Sequence, residues 1–109
     1  MSIPPNYPGA TLRLEGTIKA HVTVTRVTMT GHAILTDTDT IYEMLDPNGS
    51  DRDVTLPTPT NGMAFVLKHI GVANTLTVKD AGGSAITGGT LTTGEVKTYL
   101  YDGTAWQVL

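Results

Sequence analysis

The residues able to do chemistry in this chain are few and scattered. Three histidines, His21, His32 and His69, lie far apart and share no metal-ligand spacing. A lone histidine on a strand is far more often a surface or satisfied core residue than a ligand. In "TDTDT", residues 36–40, Asp37 and Asp39 share one face of an extended segment, a spacing that two Ca²⁺ ligands could use. No further oxygen ligands follow at a calcium-loop spacing. The pair therefore reads as a solvated strand end, where charge discourages stray pairing. Glu15, Glu43 and Glu95 are isolated, so no paired-carboxylate hydrolase is indicated. "AGGSAITGG", residues 81–89, lacks the Gly-Lys-Ser/Thr ending of a phosphate loop, and no helical pattern follows it. No nucleophile elbow is present. The chain has no cysteine, so a thiol nucleophile, a disulfide and a thiolate metal site are all excluded. The expectation is a protein that is not an enzyme and that uses neither cofactor nor metal.

What remains is a scaffold. A length of 109 residues suits one domain, which can bury a core with little to spare. Only 16% of residues are charged, against about a quarter in typical domains. Thr and Gly dominate the polar remainder, and β-branched Thr sits well on a pleated surface. The formal charge of −3, with seven Lys and Arg spread singly, argues against a nucleic-acid surface. No stretch reaches the ~18 apolar residues of a membrane span. The start, "MSIPPNYPGA", has neither the basic region nor the apolar run of a secretory signal.

Residues 1–9 carry Pro4, Pro5 and Pro8. Proline lacks an N–H and fixes φ, so this segment is expected to be an extended arm rather than strand or helix. Ile3, Pro4, Pro5 and Tyr7 are its candidate contacts, either frayed or docked on a neighbour. Residues 10–109 form the β domain. "TLRLEGTIK", 11–19, alternates as a half-buried strand. In "HVTVTRVTM", 21–29, the apolar phase shifts after Val24, which predicts a bulge near Arg26. Further strands are expected at 33–36, 53–57, 63–70 and 74–80. "TIYEMLDP", 40–47, is either a turn of helix or, given its β-branched lead-in, a strand. The segment 63–70 is apolar on both faces, with Phe65 and Leu67 on one, so it should be covered on both sides.

The last hairpin can be set in register. With Asp102-Gly103 as a two-residue turn, Tyr101 would face Thr104 and Tyr99 would face Trp106. Tyr99, Tyr101, Trp106 and Val108 then share one side. With Phe65 and Leu67 they are either core or oligomer interface. The predicted fold is an all-β antiparallel sandwich or barrel-like domain of about eight short strands.

From residue 34 onward the order of landmarks resembles a small β module of tailed-bacteriophage virion proteins. The landmarks are Asp39 with Ile41, "VTLP" at 54–57, Gly62 before an apolar strand with Lys68, "NTLTV" at 74–78, "GGSAITG" at 82–88 and "DGTAW" at 102–106. They cover roughly two-thirds of the chain, and their order carries the resemblance. It implies a head decoration, or cement, protein on the outside of the capsid. Its partners would be the major capsid protein and further copies of itself, as a homotrimer in preference to a dimer. The alternative it implies is a short tail-fibre or tailspike component whose aromatics bind host glycan.

Overall fold

Among the described residues, period-2 alternation is realised as nine short strands. The computed structural model describes residues 22–109. The expected arm, the strand at 11–19 and His21 lie outside the described residues. The strands are β1 (Val24–Thr28), β2 (Ala33–Ile34), β3 (Tyr42–Asp46), β4 (Arg52–Thr55), β5 (Ala64–His69), β6 (Leu76–Lys79), β7 (Ala85–Leu91), β8 (Val96–Tyr101) and β9 (Trp106–Val108). No helix occurs among the described residues, and 40–47 is strand β3 with its flanks.

The strands form two sheets, ordered β1-β3-β5-β8-β9 and β2-β4-β6-β7. The two-layer, all-β expectation holds, but the pairing is not purely antiparallel. β1 pairs β3, β3 pairs β5, β2 pairs β4 and β4 pairs β6, all parallel. Through β6 the chain alternates between the sheets, so each circuit lays one strand on each layer beside the strand of the circuit before. This is a flattened β-coil, in which the crossover that parallel strands require is made by a strand of the opposite sheet. After β6 the direction reverses. β7 pairs β6, β8 pairs β5 and β9 pairs β8, all antiparallel, and these three strands cap the coil.

The core lies between the sheets. Leu45, Val54, Leu56, Leu67, Leu76, Val78, Leu91 and Tyr99 are at most 1% exposed, and Met29, Leu35 and Phe65 complete the cluster. Each such side chain contributes about 1.5–3 kcal/mol of burial. Two tight corners fix the coil. Asn48 and Gly49 both adopt positive φ in the loop after β3, where the Asp46 carboxylate accepts the Asn48 N–H at 2.8 Å. Gly71 packs against that loop. A Cβ there would lie 2.6 Å from Asp46 Oδ1 and 2.8 Å from Pro47 Cδ.

Two local expectations are corrected. The β1–β3 ladder runs without a shift from Val24↔Tyr42 to Thr28↔Asp46, so there is no bulge near Arg26. The phase change arises because β1 is apolar on both faces: Val24 points out, while Met29, just past its end, is buried. The irregular register lies instead between Thr77 and Lys79 on β6. The final turn is also longer than two residues. Tyr101 pairs with Trp106 and Tyr99 with Val108, a shift of two that preserves the face of every side chain. Asp102 explains it: one carboxylate oxygen accepts the N–H groups of Thr104 and Ala105, both at 2.8 Å, and holds a wider turn.

Candidate functional site

Among the described residues most carboxylates and both histidines take part in local hydrogen bonds. Asp39, Asp46, Asp51, Asp80, Glu95 and Asp102 each accept a backbone N–H at a turn or loop. Asp39 thus closes the Thr36–Asp39 turn. Among the described residues no cluster of three metal-ligating side chains forms. His69 is fully buried. Its Nδ1 accepts the Gly71 N–H at 3.1 Å, so its Nε2 donates to the Asn74 carbonyl at 2.9 Å. Both ring nitrogens of this core histidine are thus satisfied. His32 Nδ1 accepts the Asp53 N–H at 2.8 Å on the opposite sheet. Glu43, also buried, is held by the Thr40 hydroxyl, which in turn meets Thr25.

The residues proposed as core or interface divide between the two. Phe65, Leu67 and Tyr99 are buried inside the coil. The Tyr99 hydroxyl donates to the Gly89 carbonyl at 2.6 Å, which ties β8 to β7. Burial, and secondarily the negative Glu95, raise the Tyr99 phenol well above its ordinary value. Tyr101, Trp106 and Val108 are half-buried at the capped end of the core. Ile3, Pro4, Pro5 and Tyr7 lie outside the described residues.

Two surfaces are left. The first is the outer face of the five-stranded sheet. Register places Val24, Tyr42, Val66 and Thr98 in one row across it, and Arg26, Met44, Lys68 and Val96 in the next. A shallow hollow of about 290 Å³ between these rows is lined by Val24, Tyr42, Met44, Val66 and Val96, with Lys68 at its rim. Val24 is 48% exposed and Val96 52%. The outer face of the four-stranded sheet differs. There Asp53, Thr55, Thr77, Lys79 and Thr90 point out, Asp53 pairs with Lys79 at 2.9 Å, and Ile34 is the exposed apolar exception. Sequence reasoning marked Val22 and Val24, Val66 and Val96 as apolar on their separate strands but did not join them into one face. The signal was the misread phase of 21–29: Val22 and Val24 are apolar because they face outward on a face that continues through Tyr42 and Val66.

The second surface is a groove of about 430 Å³ at the capped end, between the glycine-rich turn and the last hairpin. Its walls include Pro59, Asp80, Ile86, Tyr101, Ala105 and Trp106. The Tyr101 and Trp106 rings meet edge to face, with centroids 5.5 Å apart and planes at 65°. Trp106 also leans on Phe65 at 6.5 Å. Among the described residues, the Trp106 indole nitrogen is the buried side-chain polar atom without a partner.

Comparison with protein-family models, curated proteins and solved structures found no match to this chain.

Proposed function

We propose that this chain is a virion structural protein: a bacteriophage head-decoration protein that binds the outside of the capsid and bridges neighbouring capsid subunits. The observation that carries the reading is the contrast between the two outer faces. One sheet turns valines, Met44 and Tyr42 to solvent, while the other is covered by threonines and an Asp53–Lys79 pair. A row of apolar side chains on one side only is the mark of a face meant to be covered. The occupation of carboxylates and histidines in turns and core supports a binding role over a catalytic one. The order of sequence landmarks supports the phage setting, with the protein made in the bacterial cytoplasm and carried on the virion.

The mechanism is mass action. A protein that binds only the assembled lattice lowers the free energy of that lattice, and rupture must then break the added contacts. The apolar face of the five-stranded sheet would lie on the major capsid protein. The arm with Ile3, Pro4, Pro5 and Tyr7 would reach capsid or a neighbouring copy, in a homotrimer by preference. Co-sedimentation with empty phage heads tests it. Saturable binding that is lost in Val96→Asp supports the reading, and wild-type protein that stays in the supernatant sinks it.

The groove beside Trp106 favours one second reading, a tail-fibre component that binds host glycan through Tyr101 and Trp106. Tyr99 drops out of that set because it is buried. Trp106 is the single tryptophan, so saturable quenching of its fluorescence by host-surface glycan would support this alternative.

A further inference from the structure

Among the described residues the longest strand is also an edge. β7 runs for seven residues, "AITGGTL", and ends the four-stranded sheet. An edge strand presents unpaired backbone groups that template pairing with another chain. The edges β2 and β9 are only two and three residues long. β7 has neither that shortness nor a charged or proline residue of its own to discourage pairing. We propose that Lys97 closes this edge and so prevents β7 from pairing with β7 of a second copy. The proposal goes beyond the decoration reading and does not rest on it.

Register sets Lys97 in position. It lies opposite Leu67 in the β5–β8 ladder, and directly opposed residues share a face. Leu67 is in the core, so Lys97 points inward from β8 and is half-buried. Its Nζ donates to the carbonyl of Gly88 at 2.9 Å and to that of Thr90 at 2.6 Å. The Tyr99 hydroxyl, two residues along the same face, takes the Gly89 carbonyl between them. Three successive β7 carbonyls are thus held by side chains of the opposite sheet, where a partner strand would supply N–H groups. Ammonium-to-carbonyl bonds are charge-assisted and stronger than the neutral N–H bonds a strand could offer. An approaching strand would also have to displace that ammonium or bury it, a cost no neutral side chain imposes.

Backbone shape reinforces the side chains. From Thr77 to Lys79 a step of two residues on β6 meets a step of five on β7, from Thr90 to Ala85. The extra residues bulge, with Gly88 at a φ of 72°, and a bulge turns an edge away from flat approach. Gly89 packs closely within it. A Cβ there would lie 2.9 Å from the Ile86 carbonyl oxygen and 3.2 Å from Tyr99 Cε1. In this shape the carbonyls of 88–90 lie within reach of Lys97 and Tyr99, and the strand presents no flat ladder.

The test compares the full-length wild-type protein with Lys97→Met, which keeps an unbranched side chain and removes the ammonium. Light scattering over a concentration series should show the variant's mass rising to about twice the wild-type value or more, as edge-to-edge pairing of copies requires. Amide hydrogen exchange separates pairing from loss of fold. Paired edges slow exchange within residues 85–91 as concentration rises, whereas a loosened β7 exchanges faster. Thr87→Lys, added to Lys97→Met, puts a charge at an exposed position on the same edge and should return the mass to the wild-type value. Lys97→Arg alone should keep it there. If Lys97→Met does not fold by circular dichroism, Lys97→Gln, neutral and shorter, takes its place. A variant whose mass matches wild type at every concentration overturns the proposal. So does association with faster exchange at 85–91, or association that survives Thr87→Lys.

Discussion

Tyr99 shows how much one hydroxyl can hold at the residue scale. It is fully buried, and its O–H satisfies the Gly89 carbonyl across the end of the coil. Tyr99→Phe keeps the ring and orphans that carbonyl, so a loss of about 1–2 kcal/mol is expected in urea unfolding. The same residue sets an alkaline limit. Its phenol is raised by burial in the folded state, so stability is full below the ordinary value of 10.0 and falls as pH rises above it. Tyr99→Phe should remove that limb. At the acid end, Asp102 is held below its ordinary 3.8 by the N–H groups of Ala105 and Thr104, with the Gln107 amide assisting. Glu95 is lowered by the hydroxyl of Thr92 and by its backbone N–H. A carboxylate depressed on folding adds stability above its ordinary value and loses it as pH falls through the folded one. Melting temperature should therefore drop below about pH 4 and stay flat from about pH 5 to 8. Asp102→Asn with Glu95→Gln should flatten the acid limb. Gly71 is constrained by space alone. Gly71→Ala pushes a methyl into Asp46 and Pro47 and is expected to cost about 1–3 kcal/mol by the same unfolding assay.

At the scale of elements, β5 is the strand on which both layers depend. It is central in its sheet, parallel to β3 on one side and antiparallel to β8 on the other. Leu67 points from it into the core with no exposure. Leu67→Ala should cost about 3–5 kcal/mol, measured by denaturant, because its neighbours on two fixed sheets cannot close the cavity. The strand's two-sided apolarity was legible in the sequence, since Phe65 and Leu67 alternate with Ala64 and Val66. Its parallel partner was not. Alternation reports which face a residue occupies and says nothing of the neighbouring strand. The coil's period could have supplied that, but it is uneven. Register partners are 18 residues apart from Val24 to Tyr42 and 24 apart from Tyr42 to Val66. In the other sheet they are 21 apart from Ala33 to Val54 and 24 apart from Val54 to Val78. A repeat that stretches with each loop leaves no fixed self-similarity to detect.

For the whole molecule, the two outer faces separate stability from association. Val96→Asp and Val24→Asp place charge on an already exposed surface, so their effect on unfolding should stay within about 0.5 kcal/mol. Their effect on head binding should be large, because an unpaired carboxylate would be buried at the contact. Circular dichroism melts beside co-sedimentation check both halves of this expectation. Equal loss of fold and binding would assign the face to stability instead.

The sequence alone determined the class of the protein and much of its local chemistry. Alternation and Thr-rich composition made it all-β, and turn residues such as Asn48, Gly49 and Asp102 marked where strands stop. These are local effects of φ preference, side-chain reach and pleat geometry, which the chain carries wherever it folds. Tertiary structure alone decided which strand lies beside which, because parallel pairing joins segments whose loops hold no register signal. It also decided what Tyr99 and Trp106 do. The two share a face and one sequence signature, but one is sealed between sheets and the other forms a wall of an open groove. Tyr99 meets Gly89 of the opposite sheet while Trp106 lines the groove, a tertiary pairing that no residue spacing encodes.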